Sequence, residues 1–164
     1  MSKENPSETS SITIRYARTE DIPAIVEFNQ TMAWETEQKN LHTQTIRAGV
    51  QSLLAHPDRG FYIVAAMADQ VVACLMITFE WSDWRNGLFW WVQSVYVRPN
   101  WRRRGIYSRM YSFVKELAAN DESNVCGFRL YVEQDNAQAQ QTYQSLGMTH
   151  SPYHMFEQLA SDKH

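Results

Sequence analysis

Three consecutive arginines followed by a glycine form the densest positive charge in the sequence. They are Arg102, Arg103 and Arg104, and Gly105 follows them. The residues after Gly105 predict an amphipathic helix, because apolar side chains recur at steps of four, three and four. Those side chains are Ile106, Met110, Phe113 and Leu117. The free N–H groups and positive dipole end of that helix would lie beside the arginines, so the turn is suited to bind an anion such as a pyrophosphate. The alternative is a solvated run of charge.

The elements that position this turn can be predicted from apolar spacing and turn residues. The six predicted strands span residues 12–16, 60–68, 71–80, 88–97, 125–133 and 153–158. The four predicted helices span residues 22–33, 41–55, 106–117 and 137–146. A polar connector, residues 34–40, is expected between the first two helices. Asn136 is placed to cap the last helix and Gly147 to end it.

The order of these elements predicts an α/β fold, classed as α+β in some schemes. Short turns between the second, third and fourth strands make those strands antiparallel neighbours. The helix after Gly105 then makes a strand–helix–strand crossover, which adds a parallel strand. The order β-α-α-β-β-β-α-β-α-β therefore predicts a mixed, mostly antiparallel central sheet flanked by helices.

Composition excludes several classes of protein. The chain has 164 residues, of which 44% are hydrophobic, as expected for a single domain over residues 11–164 after a disordered polar tail over residues 1–10. No apolar run approaches the ~20 residues that span a membrane, so a cytoplasmic protein is predicted. The net charge of −3 argues against a nucleic-acid partner. Cys74 and Cys126 have no metal-binding or disulfide spacing and are expected to be reduced core residues.

Two segments resemble motifs of the GCN5-related N-acetyltransferase (GNAT) superfamily. Residues 97–106, VRPNWRRRGI, are similar to its V-x-P-x-x-R-x-x-G-[IV] signature, which binds the pyrophosphate of acetyl-CoA. Residues 136–148, NAQAQQTYQSLGM, are similar to its N-x-x-A-x-x-x-Y-x-x-x-G-[FM] segment. The element order also matches, so the resemblance covers about residues 12–157. One departure is Tyr107, where the family usually has Gly or Ala.

The resemblance implies acetyl-CoA as acetyl donor and no metal. In the family the strand that enters the arginine turn bulges and splays from the next parallel strand, and the pantetheine arm lies in the gap. The residues expected to bind the cofactor are Val95, Tyr96, Val97, Arg102, Arg103, Arg104, Gly105, Ile106, Tyr107, Ser108 and Asn136. The Val95 N–H is expected to face the thioester oxygen, where a preorganised donor contributes roughly 2.7–4 kcal/mol.

Tyr143 is the candidate general acid for the departing CoA thiolate. It lies seven residues after Asn136, two turns along one helix face. A thiol pKa near ~8.5 and a phenol pKa near ~10 are close enough for proton transfer. The alternative is a tyrosine that only packs on the sheet.

The general base is left open by the sequence. Several family members carry Glu on the strand of the cofactor motif, but the matching residue is Gln93, which cannot accept the proton. Glu80 is the nearest plausible carboxylate, Glu35 and Glu37 are alternatives, and Asp83 and Glu133 are weaker candidates. Proton transfer through a bound water is also open.

Carboxylates and aromatic rings indicate the acceptor. The residues expected to bind it are Trp34, Glu35, Glu37, Trp81 and Asp83, with Trp84 and Trp90 nearby. Such groups favour a small cationic primary amine. The alternatives are a peptide or protein amine, a non-catalytic acyl-CoA-binding module suggested by Gln93 and Tyr107, and tryptophans that pack in the core or form a homodimer surface.

Overall fold

A five-stranded sheet organises residues 11–130 of the chain. The computed structural model describes residues 11–161, so the tail predicted over residues 1–10 lies outside the described residues. The strands are β1 (Ile12–Tyr16), β2 (Gly60–Met67), β3 (Gln70–Ser82), β4 (Gly87–Val97) and β5 (Val125–Arg129). The helices are α1 (Ile22–Glu37), α2 (Thr43–Ala55), α3 (Ile106–Ala119) and α4 (Ala137–Ser145).

The strands lie side by side in chain order, β1-β2-β3-β4-β5. The first four are antiparallel to their neighbours, and β5 runs parallel to β4 because α3 carries the chain back to the start of the sheet. The predicted fold class, a mixed and mostly antiparallel sheet flanked by helices, is confirmed.

The chain divides into two compact units, one ending at Leu130 and one beginning at Tyr131. The first contains the sheet and α1 to α3, and the second contains α4. The single domain expected over residues 11–164 stays a prediction.

Opposite faces of the sheet bury different sets of side chains. On one face the α1 residues Ile25 and Phe28 and the α2 residue Val50 pack with Tyr62 and Tyr96 of the sheet. On the other face the ring of Trp90, only 2% exposed, contacts Phe61, Phe79 and Phe128, and Phe128 contacts Tyr111 of α3. Both faces of the central strands are therefore buried, and their apolar runs are long for that reason.

Helix α1 is longer than the sequence predicts. It continues to Glu37 instead of residue 33, and Gln38 ends it with a positive φ of 52°. The last turn is polar and mostly exposed, so it shows no apolar periodicity. Trp34, Glu35 and Glu37 are therefore fixed on a helix and do not lie in a connecting loop.

The C-terminal part of the sequence contains one strand fewer than predicted. Residues 149–161 form no regular element, and β5 ends at Arg129 instead of residue 133. The strand predicted over residues 153–158 is not formed, since a strand needs a ladder partner and no described strand pairs with this segment. Its large apolar side chains are exposed; they are Tyr153, Met155, Phe156 and Leu159.

Both ends of α4 follow the prediction. The Asn136 side chain accepts a hydrogen bond from the Ala139 N–H at 3.1 Å, as an N-cap residue does. Gly147 has a φ of 93°, and the Met148 N–H donates to the Tyr143 carbonyl at 3.1 Å. That bond, with the one from the Gly147 N–H to Gln144, makes a Schellman ending that favours glycine.

The two cysteines are free thiols. Cys74 is buried, as predicted, and burial raises its pKa to about 12, whereas Cys126 is only partly buried. None of the described helices combines the length and hydropathy needed to cross a bilayer.

A buried ion pair fixes the entry to α1. Asp21 is 5% exposed and accepts two hydrogen bonds from the Arg15 guanidinium, at 2.7 and 3.0 Å, and one from the Arg18 N–H at 2.7 Å. Burial alone would raise the pKa of Asp21, but these donors and their positive charges outweigh it and lower that pKa.

We expect Asp21→Asn to lower the free energy of unfolding by about 1.5–3 kcal/mol at neutral pH, since it removes a buried charge-assisted bond. A folded pKa below the unfolded one stabilises above the unfolded value, so the stabilisation is lost as pH falls through the folded pKa. Urea titrations of both proteins from pH 7 to pH 3 test this. A difference independent of pH would show that the Asp21 charge contributes nothing.

Candidate cofactor and acceptor site

A β-bulge interrupts β4 near its end. Cys74 of β3 pairs with Tyr96, but Met76 pairs with Gln93, so β4 contains one residue more than β3 over this stretch. The extra residue is accommodated by Ser94, which has a φ of 51°. The bulge resets the alternation of side chains and is the feature that the family resemblance implies for this strand.

Beyond the first half of β4, one edge of the strand has no ladder partner. The pairs between β4 and β5 run from Leu88 with Val125 to Trp91 with Arg129 and then stop. Within the described sheet, residues 92–97 of β4 are paired only with β3. Exposed main-chain donors and acceptors in this position can pair with an extended ligand.

The turn after β4 is shaped to receive an anion. Pro99–Trp101 forms a 3-10 turn, Arg102 is extended, and Arg103 and Gly105 have φ values of 60° and 71°. Alternation of this kind can aim successive N–H groups at one point. A Cβ at Gly105 would meet no atom within 4 Å, so the surface there is open. The first turn of α3, residues 106–108, adds N–H groups that an α-helix leaves without intrahelical partners.

The three arginines have different surroundings. Arg102 is turned back toward the sheet and α1: its Nε donates to the Val97 carbonyl at 2.8 Å, and its guanidinium lies 5.4 Å from the centre of the Tyr96 ring. The Arg104 guanidinium lies 4.9 Å from the Trp101 ring, and Arg103 is exposed. Arg103 is therefore the member of the triplet whose charge faces solvent most directly.

Arg102 also brings the end of α1 to the turn. Its guanidinium donates to the Glu35 carboxylate at 3.2 Å, while Lys39 pairs with Glu37 at 2.5 Å. Carboxylates are unfavourable at the negative end of a helix dipole, and the two cations offset that cost. Glu35 is thus held one arginine side chain away from Val97, which lies three residues along β4 from Ser94 at the bulge.

Glu80 has a different environment. Its Oε1 accepts from the Trp91 Nε1 at 3.0 Å and from Arg129 at 2.7 Å. The hydrogen bond from Trp91, together with that from Arg129 and its charge, lowers the pKa of Glu80 although partial burial opposes the shift. A carboxylate whose charged form is favoured in this way is a weaker proton acceptor at neutral pH.

The predicted acceptor residues fall into two groups that the structure does not bring together. Trp34, Glu35 and Glu37 lie on the last turn of α1. Trp81 pairs with Leu88 at the start of β4, and Asp83 lies in the following hairpin, where it accepts from the Trp84 N–H. Leu88 is nine residues before Val97, about 30 Å along the strand at about 3.3 Å per residue.

The Gln93 side chain forms a hydrogen bond with a neighbouring side chain on the same face of the sheet. Its amide donates to the Thr78 hydroxyl at 2.6 Å.

Four residues near the site were not predicted from the sequence to have a role: Thr78, Ser94, Trp91 and Arg129. Two signals were available: the polar pair Gln93-Ser94 breaks the apolar run of β4, and Arg129 is a charge inside an apolar strand, which requires a partner.

In the second unit, Tyr143 lies on α4 and Asn136 caps the same helix. Burial raises the pKa of Tyr143, so its hydroxyl keeps its proton at neutral pH. Glu133 precedes the cap, with its carbonyl accepting from the Gln140 side chain at 3.1 Å. Over residues 11–161, no three His, Cys, Asp or Glu side chains cluster closely enough to hold a metal ion.

Comparison with known proteins defines the class. The sequence profile of the acetyltransferase (GNAT) family matches residues 19–148. A possible acetyltransferase from Clostridium difficile 630 is 45% identical, with a TM-score of 0.84 over 92% of this chain and 98% of that one. The aminoglycoside N-acetyltransferase AAC(6')-Iy, solved with CoA, shares the fold at 13% identity, with a TM-score of 0.75 over 92% and 95% of the two chains. No protein of curated function matches the chain.

The fold and the match along most of the chain define an acetyltransferase. The chain belongs to the GNAT family, and it is an N-acetyltransferase of that type. The family resemblance noted in the sequence is confirmed.

Proposed function

We propose that the protein transfers the acetyl group of acetyl-CoA to the primary amine of a small cationic acceptor, by direct attack while both substrates are bound. The observation that carries the proposal is the open, positive-φ turn at Arg103 and Gly105, which directly follows the unpaired stretch of β4. An elongated ligand with phosphates at one end fits such a surface. The relative AAC(6')-Iy was solved with CoA, which supports the same ligand here.

The proposed contacts follow from the local geometry. The N–H groups of residues 103–108 would bind the pyrophosphate, with Arg103 and Arg104 adding charge. The backbone of Val95, Tyr96 and Val97 would pair with the pantetheine arm, and Asn136 would contact it further along. Arg102 would contribute mainly through the bonds that fix Val97 and Glu35.

Acetyl-CoA supplies an acetyl thioester at this site. The acceptor nitrogen forms a bond to the acetyl carbon, the carbon–sulfur bond breaks, and the sulfur leaves with the electron pair. We assign the Val95 N–H to stabilise the charge that develops on the carbonyl oxygen. We assign the Tyr143 hydroxyl to protonate the sulfur. The nitrogen loses one further proton as it becomes an amide, and that proton restores the Tyr143 hydroxyl. Cys74 is a poor acyl carrier, because its buried thiol has a pKa of about 12 and stays protonated.

Glu35 is a better candidate base than Glu80. Its partner Arg102 bonds to Val97, two residues from Val95, whereas Glu80 lies opposite Phe89, six residues or about 20 Å from Val95 along the strand. We therefore propose that Glu35, directly or through one water, receives the proton lost by the acceptor ammonium group. Trp34 and Glu37 on the same turn would favour a cationic acceptor.

We expect cationic amines to be acetylated faster than neutral ones at equal concentration, because a carboxylate-bearing helix end attracts them. A panel of diamines, aminoglycosides, lysine peptides and neutral primary amines, assayed by thiol release from acetyl-CoA, measures this. Equal rates for neutral and cationic amines would refute the cation preference. A preference for lysine peptides would instead identify a peptide or protein acceptor.

We expect Gly105→Glu to abolish CoA binding, since it places a carboxylate in the open space proposed for the phosphates. The positive φ there adds strain of about 1–2 kcal/mol, which circular dichroism and thermal unfolding would reveal. Gly49→Glu is the matched control, because Gly49 on α2 also has no atom near its Cβ position. CoA affinity measured by calorimetry should be lost only in the first variant. Unchanged affinity in Gly105→Glu would remove the proposed cofactor site.

We expect Tyr143→Phe to lower kcat by roughly 10²–10⁴-fold, the usual contribution of a general acid. The ring and its packing are retained, so KM for acetyl-CoA and thermal stability should change little. If Tyr143 only packs, phenylalanine should serve equally well. A kcat within about threefold of the parent would therefore exclude the acid role.

A further inference from the structure

Three strands are tied together by side chains at the point where two of them stop pairing. Glu80 belongs to β3, Trp91 to β4 and Arg129 to β5. Trp91 and Arg129 both donate to the same oxygen of Glu80, at 3.0 and 2.7 Å. Trp91 and Arg129 are also the last pair of the β4–β5 ladder. The polar cluster and the end of the ladder coincide.

An aromatic ring supports the same arginine. The Arg129 guanidinium lies 3.6 Å from the centre of the Phe89 ring, and the Arg85 guanidinium lies 5.1 Å from it. Phe89 reaches over β5 because Gly127 has no side chain: a Cβ there would come within 2.7 Å of the ring. Glycine, phenylalanine and arginine therefore fit one another across the two strands, and the guanidinium plane is held by stacking as well as by its hydrogen bond.

We propose that Glu80, Trp91, Phe89 and Arg129 form a clasp that fixes where β4 and β5 separate. This inference rests on the proposed function, in which the acetyl end of the donor lies in the gap beyond Trp91. The clasp residues are positioning residues and do not touch the reacting atoms.

The fork, which is the point where β4 and β5 stop pairing, needs side-chain contacts to hold it in place. The last hydrogen-bonded pair of a ladder can fray, and the strand edge beyond it can re-pair in another register. Either change would move the gap relative to the Val95 N–H. An error near 1 Å in the position of a reacting group costs about 10²-fold in rate, so a fork held by side chains protects kcat.

The first experiment measures the fork without using activity. Amide hydrogen exchange of residues 88–91 and 125–129 is compared in the parent and in Arg129→Met. We expect exchange in both segments to quicken by about tenfold or more, because the last pairs open locally. Arg15→Met is the matched control, since Arg15 pairs with Asp21 at the same 2.7 Å on another strand of this sheet. It should lower stability without a selective change in these segments.

The second experiment uses the kinetics of acetyl transfer to whichever amine the panel identifies. Arg129→Met should lower kcat about 10–100-fold while the Kd for CoA stays within about threefold, since the proposed phosphate site is remote from the fork. Glu80→Gln keeps an oxygen that accepts from Trp91 and Arg129 but loses the charge, so its kcat should fall by less than that of Arg129→Met. Arg129→Lys and Arg15→Lys replace the methionine variants if either does not fold.

If the amide exchange rates and kcat of Arg129→Met change no more than those of Arg15→Met, the clasp is refuted. A loss of 10² or more in Glu80→Gln would make Glu80 the general base and overturn the positioning role. Failure of the parent itself to bind CoA would refute the proposed function, while the exchange experiment would still test the clasp.

Discussion

The requirement that every main-chain donor and acceptor find a partner controls the architecture of this protein. β4 satisfies it on one edge by pairing with β3 on both sides of the bulge, but on the other edge, within the part of the chain that the structure describes, only as far as Trp91. The remaining half strand must be completed by water, by another segment or by a ligand. The bulge at Ser94, the turn at Gly105 and the start of α3 all lie at or just beyond that incomplete edge. The site is therefore a continuation of the sheet.

Arginine side chains hold the elements around this edge in place. Arg98 lies 4.8 Å from the Phe28 ring and pairs with Glu27, while Arg102 bonds to Val97 and Glu35. Both tie α1 to the end of β4. Because a guanidinium can stack and donate several bonds at once, one side chain can fix a helix, a ring and a carbonyl together. The three arginines at 102–104 form a single run of positive charge in the sequence, but their side chains make different contacts in the fold.

Local structure and the order of the strands were predictable from the sequence, but long-range contacts between side chains were not. The helix at Ile106, the cap at Asn136 and the glycine at residue 147 follow from residue preferences over a few positions, and all three are found. The turn that ends at Gly105, proposed to bind the cofactor, also follows from such local preferences. The bond from Arg102 to Glu35 on the last turn of α1 spans 67 residues, and the Glu80–Arg129 bond spans 49 residues. A sixth strand was predicted from its own residues, but strands exist only through partners, and none is paired with residues 153–158.

The bulge at Ser94 makes the length of β4 as important as its composition. Gln93 and Tyr96 are three residues apart yet lie opposite Met76 and Cys74 on one face of the sheet. Removing a single residue between them would restore strict alternation and leave Tyr96 opposite Cys74, still on the α1 face. The bulge itself would be lost, and with it the bend and the extra twist that a bulge gives a strand. The core contacts of β4 therefore depend on which residues it contains, whereas the course of its unpaired edge depends on how many residues it contains.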